Sequence, residues 1–254
     1  MTFDYFEALS GEPLLISGVG YIRSPKVKDL FPKSGIGHLA YDLYISFLLW
    51  DKKGMLEYAK LSGYKKTDKF KGNNIGVYDV VSLVKETTAL GCVVLDFFIT
   101  GNVRWDDKTM TFVVDNHANG LPNGVINKSN FEAVRAAILQ LNFIGLDKIV
   151  SVNKPKFQDE NAKRAWERAQ EFLKKQSKPS KSDDGRDIGN IVSKLSAIHP
   201  TYNIFNIRNL TVFQLYDAYF QASYMRGVNL SEMIFSNHGG EKFKFDDWER
   251  PVVQ

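Results

Sequence analysis

The sequence predicts an α+β fold: a mixed N-terminal domain of short strands and helices, followed by a small, mainly helical C-terminal unit. Three observations predict it. VRWDDKTMTFVVD alternates apolar and polar residues on both sides of a turn, the pattern of a β-hairpin. LAYDLYISFLLW and SNFEAVRAAILQL instead place apolar residues at helical spacing. SKPSKSDDGRD, residues 177–187, contains nothing apolar and separates two regions that can each bury apolar residues.

The N-terminal domain is expected to span residues 1–155. PLLISGVGYIRSP reads as strand, turn and strand, with Gly18 and Gly20 in the turn and Pro25 at the end. Leu39, Leu43, Phe47 and Trp50 share one helical face, and the pattern stops at Asp51 and Gly54. Gly76 to Ile99 is predicted helical, with CVVLDFFI open to being a buried strand. In the hairpin, Val103 and Trp105 alternate with charged partners. Asp106, Asp107 and Lys108 form the turn, and Met110, Phe112 and Val114 alternate on the return. DNHANGLPNG is a loop of turn formers. Ser129 and Glu132 match a capping box, which opens a helix whose core stripe is Phe131, Val134, Ile138 and Leu141.

Residues 156–176 predict a charged helix with one apolar stripe: Ala162, Ala165, Trp166, Ala169 and Phe172. The flexible linker at 177–187 follows. The C-terminal unit, 188–254, begins with a helix bearing Ile191, Leu195 and Ile198, stopped before Pro200. Thr211 and Gln214 form a second capping box, with Asn209 as a competing cap. Behind it come Phe213, Tyr216, Phe220 and Tyr224, with Val212, Leu215 and Tyr219 widening the apolar face. KFKFDDW closes the unit with a short alternating piece.

Composition bounds the function. The chain has 254 residues, 44% hydrophobic, which is enough for a buried core. The net charge of +4 comes from interspersed signs, whereas a nucleic-acid binder would gather its cations on one face. Cys92 is the sole cysteine, in an apolar run, and reads as a small buried hydrophobe; no intrachain disulfide can form. Asp4 and Glu7 stand where a secretion signal needs positive charge, and the apolar runs are too short to span a bilayer. The expectation is a protein of the cytoplasm with no membrane association.

Chemistry-bearing motifs are sparse. His38, His117, His199 and His238 are far apart, without HExxH or CxxC spacing, so no metal ligands are predicted. His117 and His238 read as solvated loop residues, and His199 as a cap on the last carbonyls of its helix. GVGYIR lacks the third glycine of a dinucleotide loop, and no P-loop lysine is present, so no cofactor is predicted. Asp106 and Asp107 are adjacent and serve a turn. The expectation is a protein that is not an enzyme. KLSGYKKTDKFKG mixes lysines with Tyr64 and Phe70, as single-strand binders do. It leaves a nucleic-acid accessory protein using Lys60–Lys71 as an alternative, although such a run more commonly forms a solvated loop.

The aromatic stretch from Ala197 to Arg226 has two readings. It is the internal core of a small unit, or it also presents a partner surface. On the second reading the candidate partner-binding residues are Phe205, Phe213, Tyr216, Tyr219 and Tyr224, with Trp166 on the charged helix. HPTYNIFNIRNLTVFQLYDAYF followed by FKFDDW resembles the C-terminal signature of a tail-module family from phages of Gram-positive hosts. FDYFEALSGEPLLISGVGYIRSPKVKDL resembles that family's opening, and AILQLNFI its middle helix. Members are described as tail assembly chaperones or tail proteins. The resemblance implies a non-enzymatic protein in the host cytoplasm that binds the tape-measure protein or the major tail protein during virion morphogenesis. A structural component of the virion tail is the alternative, and self-association is left open.

Overall fold

Asp4 starts the first ordered element. Its Oδ1 accepts the amides of Phe6 at 2.9 Å and Glu7 at 3.1 Å, two of the donors that a helix start leaves unpaired. Helix α1, Tyr5–Ser10, ends at Gly11 with φ of 76°, the left-handed cap that glycine adopts without strain. The structure is a computed structural model, and it describes residues 4–33, 35–65, 67–70, 75–144 and 188–238. The charged stretch 156–176, the linker 177–187 and KFKFDDW fall outside the described residues. Among the described residues, helices and two small antiparallel sheets make an α+β fold with a helical C-terminal part.

The chain divides into two units. Met1–Ile144 with Arg208–Gln214 forms the first, and Gly145–Ile207 with Leu215–Gln254 the second. In the first, β1 (Leu14–Ile16) and β2 (Gly20–Ile22) pair antiparallel around a turn in which Gly18 and Gly20 both take positive φ. Helix α2, His38–Leu49, follows, then α3, Lys52–Leu61, α4, Val77–Leu83, and α5, Lys85–Phe98. Strands β3 (Asn102–Asp106), β4 (Thr111–Asp115) and β5 (Gly124–Ile126) form the second sheet in that order, and α6, Phe131–Leu141, closes the run. The hairpin register sets Val103 opposite Val114 and Trp105 opposite Phe112.

Phe47, Phe98, Phe112 and Phe131 are fully buried in this unit. Each such side chain contributes roughly 1.5–3 kcal/mol by leaving water. Gly91 lets α5 approach β4: a Cβ there would stand 3.0 Å from the Phe112 ring. Most polar groups inside the core are paired, although among the described residues Asn116 Oδ1 and Glu86 Oε2 are buried without a hydrogen-bond partner. Thr87 and Thr88 sit near the start of α5, and their hydroxyls donate to the carbonyls of Val80, Val81 and Val84 around the end of α4. This is how one apolar run, Gly76–Ile99, becomes two helices. Arg135 on α6 is buried, donates to the carbonyls of Leu48 and Trp50 at the end of α2, and pairs with Glu132 at 2.8 Å.

Residues Arg208–Gln214 return to this first unit. The Val27 amide donates to the Leu210 carbonyl at 2.9 Å and the Val212 amide to the Pro25 carbonyl at 2.8 Å. The predicted capping box forms. The Thr211 amide donates to Gln214 Oε1 at 2.9 Å, and the Gln214 amide to Thr211 Oγ1 at 3.2 Å. Gln214 Nε2 also reaches the Leu9 carbonyl. This box opens helix α8, Val212–His238. In the second unit, α7, Ile188–Ile198, buries Ile191, Val192 and Leu195, and α8 continues from Leu215.

Several expectations change. The capping box at Ser129 does not form. Asn130 takes the N-cap position of α6 without a side-chain bond to the helix, its Oδ1 accepting the Asn127 amide; Ser129 Oγ donates to Asn127 Oδ1, and Glu132 turns to Arg135. Helix α3 was not predicted; Asp51, taken as a stop, is its N-cap and accepts the Gly54 amide at 2.8 Å. DNHANGLPNG leads directly into β5, a third strand. Ile198 is 44% exposed, and Val192 replaces it on the buried face. His238 ends α8 and does not lie in a loop.

Candidate partner-binding surface

The loop between α7 and α8 is built from side-chain caps. His199 Nδ1 accepts the amides of Thr201 and Tyr202 at 3.2 and 3.3 Å, and its ring stacks on Tyr202 with centroids 4.4 Å apart. The imidazole is therefore an acceptor for the following turn, and not the predicted donor to the last carbonyls of α7. Asn203 and Asn206 then lock each other. Asn203 Oδ1 accepts the amides of Phe205 and Asn206 at 2.9 and 3.1 Å, while Asn206 Oδ1 accepts the Asn203 amide at 2.8 Å. Asn206 Nδ2 donates to the Thr201 carbonyl at 2.9 Å. Such side chains hold a turn because they substitute for backbone partners.

This polar frame presents two apolar side chains. Ile204 is 56% exposed and Phe205 81% exposed. A large apolar ring in water is costly by roughly the 1.5–3 kcal/mol that burial would return. Here the backbone beneath the ring is fixed, so a partner that covered it would not have to order the loop first.

The other sequence-nominated residues divide by place. Phe213 is fully buried; it packs edge-on to Tyr5 at 5.6 Å and against Phe143 at 5.2 Å, in the first unit. Tyr216, Tyr219 and Tyr224 on α8 are half-buried, and Tyr219 meets the Phe220 ring edge-on at 6.0 Å. Phe220 and Met225 stand exposed on the same helix. Trp166 lies outside the described residues. Sequence reasoning missed Ile204, Asn203 and Asn206; the signal was the Asn pair in NIFN, a turn signature inside an apolar stretch.

The remaining candidates have structural employment. Burial pushes the Cys92 thiol up, which disfavours the thiolate. Asp106 accepts the Lys108 amide and the Thr109 hydroxyl in the hairpin turn, and these bonds hold its carboxyl below the usual range. Asp107 accepts Trp105 Nε1 at 2.9 Å. His117 is exposed, and among the described residues no group of three or more His, Cys, Asp or Glu is placed to hold a metal ion. Phe70 is buried, so this ring of the lysine-rich stretch is not open to stack on a base. No helix among the described residues is long and apolar enough to cross a membrane.

A family model described as the YomV second domain matches residues 175–251, which include the Asn203–Asn206 loop and all of α8. That domain is of phage type, from the Bacillus phage SPbeta region, in agreement with a protein of phages that infect Gram-positive bacteria. Neither the curated proteins nor the solved structures contain a match.

Proposed function

We propose that this protein is a non-enzymatic tail-assembly factor of a phage of Gram-positive bacteria, acting in the host cytoplasm. It holds a tail protein, the tape-measure protein or the major tail protein, during virion morphogenesis. The observation that carries this reading is Phe205, 81% exposed on a loop fixed by Asn203 and Asn206, inside the stretch that matches a phage-type domain. An exposed aromatic anchor on a fixed loop supports binding over catalysis. Tyr219 and Tyr224, half-buried on α8, are the further candidates for partner contact. Holding needs no nucleotide: a factor that binds one state of its client stabilises it by mass action.

The test is co-expression of the full chain with each tail protein of its phage, followed by pull-down. Recovery of the tape-measure or major tail protein, reduced about tenfold by Phe205→Ala, is the expected result. If neither tail protein co-purifies, the reading fails. Mass spectrometry of purified particles then separates assembly factor from virion component. Near-stoichiometric presence in the particle would make the protein a part of the tail.

A further inference from the structure

The first unit carries a groove that the Phe205 loop does not account for. It is a cavity of about 250 Å³ between α1, β1 and α6. Pockets for small molecules typically enclose about 300–1,000 Å³, so this volume matches one or two inserted side chains better than a metabolite. Its walls are mixed: Leu, Ile and Ala side chains make up most of the lining, with Asp4, Glu7 and Gln140 among them. On β1, Leu14 and Ile16 point inward and are buried, while Leu15 also lines the groove and is 49% exposed. On α6 the lining is Ala133, Ala136 and Ala137, with Gln140 and Leu141 at the end of the helix; Ala133 and Ala136 are exposed. The core stripe of that helix, Phe131, Val134 and Ile138, is fully buried elsewhere, so these methyl groups are surplus to the core. Side chains this small let a second helix approach closely.

The electrostatics are one-sided. Asp4 and Glu7 are the charged residues of the lining. Asp4 uses Oδ1 to cap α1, and no cation pairs with either carboxylate among the described residues. A groove with an apolar floor and an acidic rim is complementary to an apolar stripe flanked by Lys or Arg. We propose that the groove between α1, β1 and α6 docks a basic amphipathic helix of a partner protein, with an apolar side chain in the cavity and a cation on Glu7 and Asp4. None of the lining residues belongs to the Phe205 loop, and the proposal does not depend on the function proposed above.

The probe is a pair of synthetic helical peptides with the same Leu and Phe stripe. One is flanked by Lys and Arg, the other by Glu. Each is titrated into the full chain with methyl-labelled alanine and leucine, read by NMR. The basic peptide should shift the Ala133, Ala136 and Leu15 methyl signals saturably, and the acidic peptide should bind at least several-fold more weakly. Ala136→Arg fills the groove with a charge at an exposed position; it should abolish the response while leaving Tm within about 1 °C. Glu7→Lys should weaken the basic peptide several-fold and strengthen the acidic one. Phe205→Ala should leave all of this unchanged. Equal binding of both peptides, shifts that avoid α6 and β1, or no response at millimolar peptide would each overturn the proposal. So would methyl shifts that depend on protein concentration alone, since the occupant would then be a second copy.

Discussion

Phe205 and Phe213 are the same residue type in neighbouring stretches, yet the two regions treat them oppositely. Around Phe213 the backbone pairs with Ser24–Val27, and the ring is driven between Tyr5 and Phe143. Around Phe205 the backbone pairs with its own asparagine side chains, and the ring is left in water. The difference teaches where apolar residues do different work. In this pair, the ring whose backbone is tied to a distant segment is core, as rings on packed helices such as Phe47 and Phe98 also are. A ring whose backbone bonds are satisfied within a few residues can be spared from the core and offered to a partner.

The largest break in this comparison should come from Phe213→Ala. A fully buried ring with two aromatic neighbours leaves a cavity, and the expected loss is about 3–5 kcal/mol in chemical denaturation. A loss under about 1 kcal/mol would mean that the Phe213 region yields as easily as a surface loop, and the contrast would vanish.

The next effect in size is alkaline. Tyr78 is buried in the first unit, with its hydroxyl between the carbonyls of Met110 and Ile126 at 2.9 and 3.2 Å. Burial pushes its pKa up to about 12. The unfolded phenol ionises near pH 10, so the unfolded state releases this proton first. Stability from the buried phenol is therefore complete below pH 10 and is lost as pH rises from about 10 towards 12. With solvent screening allowed for, the loss is of order 1–2 kcal/mol. Thermal melts at pH 9, 10 and 11 should show it, and Tyr78→Phe should flatten the alkaline part of the curve. An unchanged slope in that variant would put the ionising group elsewhere.

Gln214→Ala should cost about 1.5 kcal/mol, because one side chain serves both the Thr211 amide and the Leu9 carbonyl. Asn203→Ala should cost less, about 1 kcal/mol, since the loop it frames is exposed and water can replace part of what it accepts. Both are measured by denaturant midpoint. A reversed order would show that the loop frame, and not the Gln214 cap, anchors this part of the chain.

How much of this was legible depended on how many residues repeat the signal. The β3–β4 hairpin shows in sequence because its alternation runs through two five-residue strands, and α6 because four of its apolar residues recur at helical spacing. Strand β5 has three residues, too few for alternation to show. Helix α3 buries just Met55 and Ala59, and its Gly54 reads as a breaker although its amide is what Asp51 caps. The two capping boxes make the same point. Thr211 and Gln214 pair with each other despite Asn209 nearby, whereas Ser129 turned to Asn127 and Glu132 to Arg135. Sequence nominated Phe205 and Phe213 for the surface together, because apolarity alone does not say which ring has its backbone held locally.

The smallest stability effect should be the most telling. Phe205→Ala removes a ring that is 81% exposed and sits on a loop whose hydrogen bonds come from Asn203, Asn206 and Thr201. None of those bonds uses the Phe205 side chain. The denaturation midpoint should therefore move by less than about 0.5 kcal/mol, the range of an ordinary surface change. If the ring is an anchor, the same variant should weaken binding of a tail protein by at least about 1 kcal/mol, the level that marks a residue carrying an interface. Asn203→Ala keeps the ring but frees the backbone beneath it. It should lose part of that affinity, because the partner must then order the loop itself. The informative measurement is the pair: affinity and midpoint for both variants on one tail protein. Affinity lost with Phe205→Ala and kept with Asn203→Ala would mean that the ring matters and its rigid frame does not. Stability lost with Phe205→Ala would mean that the ring is covered in solution, and the two phenylalanines would no longer differ in kind.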